Sequence, residues 1–211
     1  MPVRKPPKNF RSLTGAFYSL KNKKSIFFES KLERDLFLTL EFDSTVYKYE
    51  EQPMRLSYEK DGRTYRYTPD CLVYYINDRL PCIFEAKYSD EIKEKKVFLK
   101  QKFEQIEKYL YENDFEFKLF SELDIDSIAL ENMNFIYNFV MIKNKNKVQD
   151  VINKLSGLEA LSYQEILDLY TDNKYTQAEY IPYIWYLVLI GKLEVDLTKK
   201  ISKKTILRII N

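Results

Sequence analysis

Between residues 46 and 88 the apolar pattern alternates in short runs broken by turn signals, while on both sides it returns every three or four residues. This change of period constrains the fold more than any other feature. Several short strands followed by a long amphipathic helix and another strand predict an α/β domain with a mixed sheet covered by helices. The first helix is predicted over residues 29–42, with Leu32, Leu36 and Leu40 on one stripe. Strands are predicted at 46–50, up to the Gln52-Pro53 break, and at 54–58. Lys60-Asp61-Gly62-Arg63 reads as a hairpin turn into 64–67. The run 71–75 is turned back by Asn77-Asp78 into a strand over 81–88. From Ser89 the helical period resumes through Leu99, Phe103, Ile106 and Leu110, and 115–120 returns to strand.

A polar, basic run, Lys143-Asn144-Lys145-Asn146-Lys147, separates this region from a mostly helical one. The expected organisation is a basic N-terminal arm (1–24), an α/β domain (25–142) and a small C-terminal domain (143–211). In the last of these, Ser162 to Glu165 and Thr176 to Glu179 both have capping-box spacing before apolar runs. Gly191 closes the second helix, and residues 192–197 suit one arm of a small β-wing. Tyr180, Tyr183, Trp185 and Tyr186 read either as core or as an interface.

Composition excludes several chemistries. The 211 residues contain no histidine, which removes imidazole bases and His metal ligands. Four glycines cannot build a P-loop or a dinucleotide fingerprint. Two cysteines, Cys71 and Cys82, are too few for a disulfide scaffold or a four-ligand zinc site and read as small core residues. No apolar run approaches the roughly 18 residues of a membrane span, and the start lacks a secretory signal. The net charge of +2 conceals an asymmetry. Arg4, Lys5, Lys8, Arg11, Lys21, Lys23 and Lys24 all precede the first acid, Glu29, leaving 27 basic against 32 acidic residues beyond. These seven cations are candidate phosphate contacts, against the plainer reading of a solvated tail.

The chemistry concentrates in Pro69-Asp70 and, across one hairpin, Glu85-Ala86-Lys87. Side chains alternate along a strand, so Glu85 and Lys87 share a face while Phe84 and Ala86 take the other. The hairpin can bring the Asp70 carboxylate beside Glu85, giving two hard oxygen donors next to an ammonium. Such donors suit Mg²⁺, and the lysine suits orientation of an attacking water and stabilisation of phosphorane charge. A third carboxylate comes from the first helix. Glu33 falls within the apolar arc, and Glu29, one turn earlier, lies on the same arc; physics alone does not choose between them. The E-x-K spacing also occurs at Glu91-Ile92-Lys93, Glu94-Lys95-Lys96 and Glu116-Phe117-Lys118. The first two lie in a predicted helix, where i and i+2 diverge, but the third lies on a strand and is a rival.

The segments Phe28-Glu29-Ser30-Lys31-Leu32-Glu33-Arg34-Asp35, Leu40-Glu41-Phe42-Asp43, Glu51-Gln52-Pro53, Tyr67-Thr68-Pro69-Asp70 and Phe84-Glu85-Ala86-Lys87 follow one another as in the TnsA family. These are endonuclease subunits of heteromeric cut-and-paste transposases. Lys8-Asn9-Phe10-Arg11 with Thr14-Gly15 is most similar to the compact members carried by CRISPR-associated transposons. The resemblance covers residues 8–120 and is looser over 145–211. It implies a restriction-endonuclease-like (PD-D/ExK) fold with a winged-helix-like C-terminal domain. It also implies metal ligation by Glu33, Asp70 and Glu85, with the Ala86 carbonyl as a further ligand, and Lys87 as catalytic lysine. Some members carry glutamine at the position of Glu85. The implied cofactor is Mg²⁺, with Mn²⁺ able to substitute. The implied partners are double-stranded transposon-end DNA, the TnsB transposase and the TnsC AAA+ regulator, in the bacterial cytoplasm and not at a membrane. Hydrolysis of the non-transferred strand at the 5′ ends is the implied reaction. A free-standing restriction or repair nuclease, and a non-catalytic DNA-binding scaffold, are the alternatives. The intact Glu33, Asp70, Glu85 and Lys87 argue against the scaffold.

Overall fold

A computed structural model describes residues 13–60, 62–142, 144–171 and 173–210. They divide into two units between Ile125 and Asp126. In the first unit a hairpin, β1 (Gly15–Ser19) and β2 (Lys24–Phe28), precedes α1 (Lys31–Phe42). Then follow β3 (Val46–Glu51), β4 (Leu56–Lys60), β5 (Arg63–Tyr67), β6 (Cys71–Tyr75) and β7 (Cys82–Ala86). The helices α2 (Ser89–Glu94) and α3 (Lys96–Tyr111) lead to β8 (Glu116–Phe120). The sheet order is β3-β6-β7-β8, with β4 and β5 forming a separate hairpin. β7 and β8 run parallel, as their helical crossover requires, and the other pairs are antiparallel. This is the mixed, helix-covered sheet expected from the change of period.

Period-two alternation splits the core between the two faces. Cys71, Val73 and Ala86 join α1, β2 and β3 in one cluster, with Leu36, Phe37 and Tyr49 at its centre. Leu72 and Ile83 join Tyr67, Leu99, Phe103, Ile106 and Leu110 in the other. Both cysteines are buried and free, as expected of core residues.

Several details differ from the sequence expectation. Helix α1 begins at Lys31 rather than Glu29, because Ser30 takes the N-cap and accepts from the Glu33 amide. The long helix expected from Ser89 is two helices, broken at Lys95. Residues 15–24, expected to belong to a basic arm, instead form most of a hairpin whose Ile26 and Phe28 enter the core and whose Phe17 stacks on Phe37 at 6.2 Å. Its alternation spans only ten residues and is interrupted by the Lys21-Asn22-Lys23 turn, which obscured the strands in the sequence.

The second unit contains α4 (Ser127–Tyr137), α5 (Lys145–Leu155), β9 (Ala160–Ser162), α6 (Tyr163–Asp168), α7 (Lys174–Leu189), β10 (Leu193–Val195) and β11 (Ile206–Ile209). The three strands form an antiparallel sheet in the order β10-β11-β9. Residues 126–142 group with this unit, not with the sheet domain as the expected 142/143 boundary had it, since α4 packs on α7 and Phe135 meets Trp185 edge-on at 5.5 Å. The Ser162–Glu165 capping box forms as expected. Thr176 is not a cap: Asn173 caps α7, and Glu179 pairs with Lys147 at 2.8 Å. Trp185 is fully buried, which assigns it to the core, whereas Tyr180, Tyr183 and Tyr186 are half-buried. Among the described residues no helix is long and apolar enough to cross a membrane.

Candidate active site

The end of β7 builds the site. Glu85 lies on the same face as Ile83, on the α3 side of the sheet, and only 3% of it is exposed. Burying a carboxylate there costs several kcal/mol unless donors reach it. Three do. Tyr67 Oη donates to Glu85 Oε2 at 2.7 Å. Lys87 Nζ lies 3.0 Å from Oε1, and Lys102 Nζ, from α3, lies 3.6 Å from the same oxygen. The expected alternation therefore holds, with Glu85 and Lys87 on one face.

Asp70, immediately before β6, is brought across the β6–β7 pair. Its Oδ2 accepts from the Ala86 amide at 2.7 Å and lies 3.9 Å from Lys87 Nζ. Lys87 Nζ also donates to the Ala86 carbonyl at 3.0 Å. One ammonium thus faces three oxygens: an Asp70 carboxylate oxygen, a Glu85 carboxylate oxygen and the Ala86 carbonyl.

The electrostatics separate this cluster from an ordinary ion pair. A salt bridge that serves only stability holds its carboxylate low. Asp70 is instead pushed up to about 7, by burial first and then by Glu85, with Glu33 adding to the rise; Lys87 and the Ala86 amide offset this only in part. Two carboxylates are thus held close together in a half-buried site, with burial rather than charge as the larger part of the rise. Lys87 is drawn up by Glu85 and Asp70 in spite of burial, so it is firmly ammonium. Burial pulls Lys102 down, an effect that Glu85 only partly offsets. Burial and the Glu85 charge raise the Tyr67 hydroxyl far above its ordinary range, so it is a donor and not a phenolate.

Glu33 approaches this charge system but is otherwise engaged. Its carboxylate accepts from the Glu29 amide at 2.9 Å and from Ser30 Oγ at 2.8 Å, closing the N-terminus of α1. Its charge is felt at Asp70, whereas Glu29 is exposed and accepts from Gln52 Nε2 at 3.1 Å. Of the two, Glu33 is the one whose charge acts on Asp70, and Glu29 lies before the first residue of α1. The buried acids of α1 are Asp35, paired with Lys31 and Arg34, and Glu41; Glu33 is only half-buried. The wheel placed Glu33 too deep because its carboxylate turns back to Ser30 and the Glu29 amide at the helix N-terminus.

Among the described residues no group of three or more Asp, Glu, Cys or His side chains is arranged to hold a metal ion. The donor chemistry nevertheless fits a hard divalent cation. Two carboxylate oxygens and a carbonyl already converge on one cation, the Lys87 ammonium, and the repulsion between Asp70 and Glu85 is what such an ion relieves.

The rival E-x-K is elsewhere. Glu116 pairs with Arg79 at 3.2 Å and sits opposite Cys82, at the far end of β7 from Glu85. Of the basic segment, Arg4, Lys5, Lys8 and Arg11 lie outside the described residues. Lys21 donates to the carbonyls of Asp43 and Val46, which commits it to the interior of the unit. Lys24 pairs with Glu51 at 3.6 Å, and Lys23 is exposed in the turn.

Sequence reasoning missed Tyr67 and Lys102. Lys102 sits three residues after Leu99 and beside Phe103, on the edge of the apolar stripe of α3, where a lysine signals a buried partner. Its ammonium lies 4.3 Å from the centre of the Tyr67 ring. Tyr67 was visible only as part of Tyr67-Thr68-Pro69-Asp70.

Residues 43–122 match the family described as TnsA-like endonuclease N terminal. The matched span includes Tyr67, Asp70, Glu85, Lys87 and Lys102 and begins after α1, so Glu33 lies outside it. No curated protein matches the chain closely enough to stand as a relative.

Proposed function

We propose that this chain, which belongs to the TnsA family, is the DNA endonuclease subunit of a cut-and-paste transposase that hydrolyses the non-transferred strand at the 5′ ends of the element. The observation that carries the reading is the convergence of Asp70, Glu85 and the Ala86 carbonyl on Lys87 Nζ, with Asp70 raised by burial and by Glu85. Asp70, Glu85 and the Ala86 carbonyl would hold Mg²⁺ or Mn²⁺, with Glu33 adding charge from α1. When bound, the ion supplies Lewis acidity toward water and the phosphate oxygens. Lys87, released from these oxygens, orients the attacking water and donates to a phosphate oxygen as negative charge develops. Lys102 would supply a second positive charge beside Glu85. The partners in this reading are transposon-end duplex DNA, a TnsB-type transposase that processes the other strand, and a TnsC-type ATPase.

The test is strand-specific nicking of transposon-end DNA in Mg²⁺, with and without TnsB and TnsC. Product carrying a 5′-phosphate and a 3′-hydroxyl, lost in EDTA and restored by Mg²⁺ or Mn²⁺, is expected. Cleavage that persists in EDTA, or no cleavage with the complete set of partners, rejects the reading.

A further inference from the structure

Glu85 has two carboxylate oxygens in unlike surroundings. Oε2 is occupied by a buried, neutral donor, Tyr67 Oη, at 2.7 Å. Oε1 faces two ammonium groups, Lys87 at 3.0 Å and Lys102 at 3.6 Å. The Tyr67 ring cannot easily retreat. It is 5% exposed, lies under the Lys102 ammonium at 4.3 Å, and meets Phe103 edge-on at 6.4 Å. Backbone pairing of β5 with Leu56 fixes its origin. The caged hydroxyl leaves little room at Oε2, whereas at Oε1 an incoming divalent cation would replace one positive charge, the Lys87 ammonium, by another.

We infer that Tyr67 is a positioning residue that reserves one oxygen of Glu85 and thereby makes it a single-oxygen ligand, biasing the site toward Mg²⁺ over larger divalent cations. Mg²⁺ demands near-ideal octahedral geometry from a few single oxygens, while Ca²⁺ accepts both oxygens of one carboxylate in a looser shell. Holding Oε2 out of reach removes the two-oxygen mode and leaves Oε1 as the position where a divalent cation replaces Lys87. The inference rests on the metal-site reading of Asp70 and Glu85. It adds to that reading a residue and an ion preference that the acidic residues alone do not dictate.

The experiment follows metal binding by the full-length protein without DNA, using calorimetry and the metal-induced rise in unfolding temperature, for Mg²⁺ and Ca²⁺ separately. Tyr67→Phe keeps the ring and removes the hydroxyl. The expected result is a 10–100-fold weaker Mg²⁺ affinity, the usual effect of losing an outer-shell partner. The change for Ca²⁺ should be clearly smaller, so that the Mg²⁺/Ca²⁺ ratio falls. A merely structural hydroxyl would lower the unfolding temperature of the metal-free protein and leave that ratio unmoved.

An unchanged Mg²⁺ affinity in folded Tyr67→Phe overturns the inference, and so does equal weakening for both ions. If the variant does not fold, 2,3-difluorotyrosine placed at position 67 retains ring and donor while altering donor acidity. With the donor kept, the Mg²⁺/Ca²⁺ affinity ratio should stay at the wild-type value, and a ratio that falls overturns the inference as well. Wild-type protein that binds neither ion sinks the metal reading itself, an outcome distinguishable from failure of Tyr67 alone.

Discussion

Two carboxylates of the sheet unit are buried against a tyrosine hydroxyl, and they do different work. Glu41, on α1, accepts from Ser19 Oγ and Tyr49 Oη through one oxygen and from the Leu20 amide through the other. All three donors are neutral and fixed, so the charge is fully solvated by the fold. It ties the β1–β2 hairpin to α1 and β3. Glu85 also has its tyrosine, Tyr67, but its remaining contacts are two lysine ammoniums, and a second carboxylate, Asp70, shares one of them. Burial of an acid is therefore not what marks a site. Two carboxylates crowded around ammonium groups are the mark, and Asp70, raised to about 7 by burial first and by Glu85 next, registers the crowding.

The largest effect that tests this contrast is at Asp70. Asp70→Ala removes two oxygens from the cluster, and metal-assisted charge stabilisation worth several kcal/mol corresponds to a loss of about 10³-fold or more in nicking rate. The metal-free unfolding temperature should move little, since removing a repelled, half-buried carboxylate is set against the Ala86 amide losing its acceptor. A variant that nicks at the wild-type rate would place the site elsewhere. Glu116→Ala, in the rival E-x-K, should be nearly silent in the same assay.

Glu41 should show the reverse. Glu41→Leu leaves the Ser19 and Tyr49 hydroxyls without their acceptor, at a cost of about 2–4 kcal/mol. Chemical denaturation should report that loss, while nicking per folded molecule stays near wild type. A Glu41→Leu protein of normal stability but no activity would erase the distinction between the two carboxylates.

The same contrast explains what could be read from the residues alone. The sheet was legible because its strands are short, alternating and separated by turn signals. Asp70, Glu85 and Lys87 were legible because strand period and one hairpin suffice to bring them together. Tyr67 and Lys102 were not, since their approach to Glu85 depends on how the β4–β5 hairpin and α3 pack on the sheet, which no local period records. Glu41 escaped for a similar reason. Its partner Ser19 sits 22 positions earlier in a hairpin that read as part of a basic arm. Glu33 was placed on the correct helix, but its capping role depends on Ser30 and on the amide of Glu29, and so on where the helix begins.

Glu33 lies between the two kinds of carboxylate and should give an intermediate effect. Glu33→Gln keeps an acceptor for the Glu29 amide and Ser30 but removes a charge from the first turn, a loss of about 0.3–1 kcal/mol. Relief of its repulsion with Asp70 acts in the opposite sense, so stability should move by less than that. Nicking should still fall, with a higher Mg²⁺ requirement. An unchanged Mg²⁺ requirement would assign Glu33 to capping alone.

The smallest expected effect separates two lysines of the first hairpin. Lys21 donates to the Asp43 and Val46 carbonyls, and burial lowers its proton affinity despite the nearby Glu41 and Asp43. It is the cationic counterpart of Glu41, a charge satisfied by fixed groups of the fold. Lys23, in the turn at φ 55, is exposed. If the turn lies along DNA, Lys23→Ala should flatten the log–log salt dependence of binding by about 0.9, the value for one lost phosphate contact on duplex DNA. Lys21→Met should lower stability and leave that slope unchanged, because its ammonium is turned into the unit. Affinities at four or five salt concentrations distinguish the two. A slope that changes with Lys21 and not with Lys23 would reverse the assignment, and would mean that Lys21 leaves its carbonyls when DNA arrives, as Lys87 is proposed to leave its oxygens for a divalent cation.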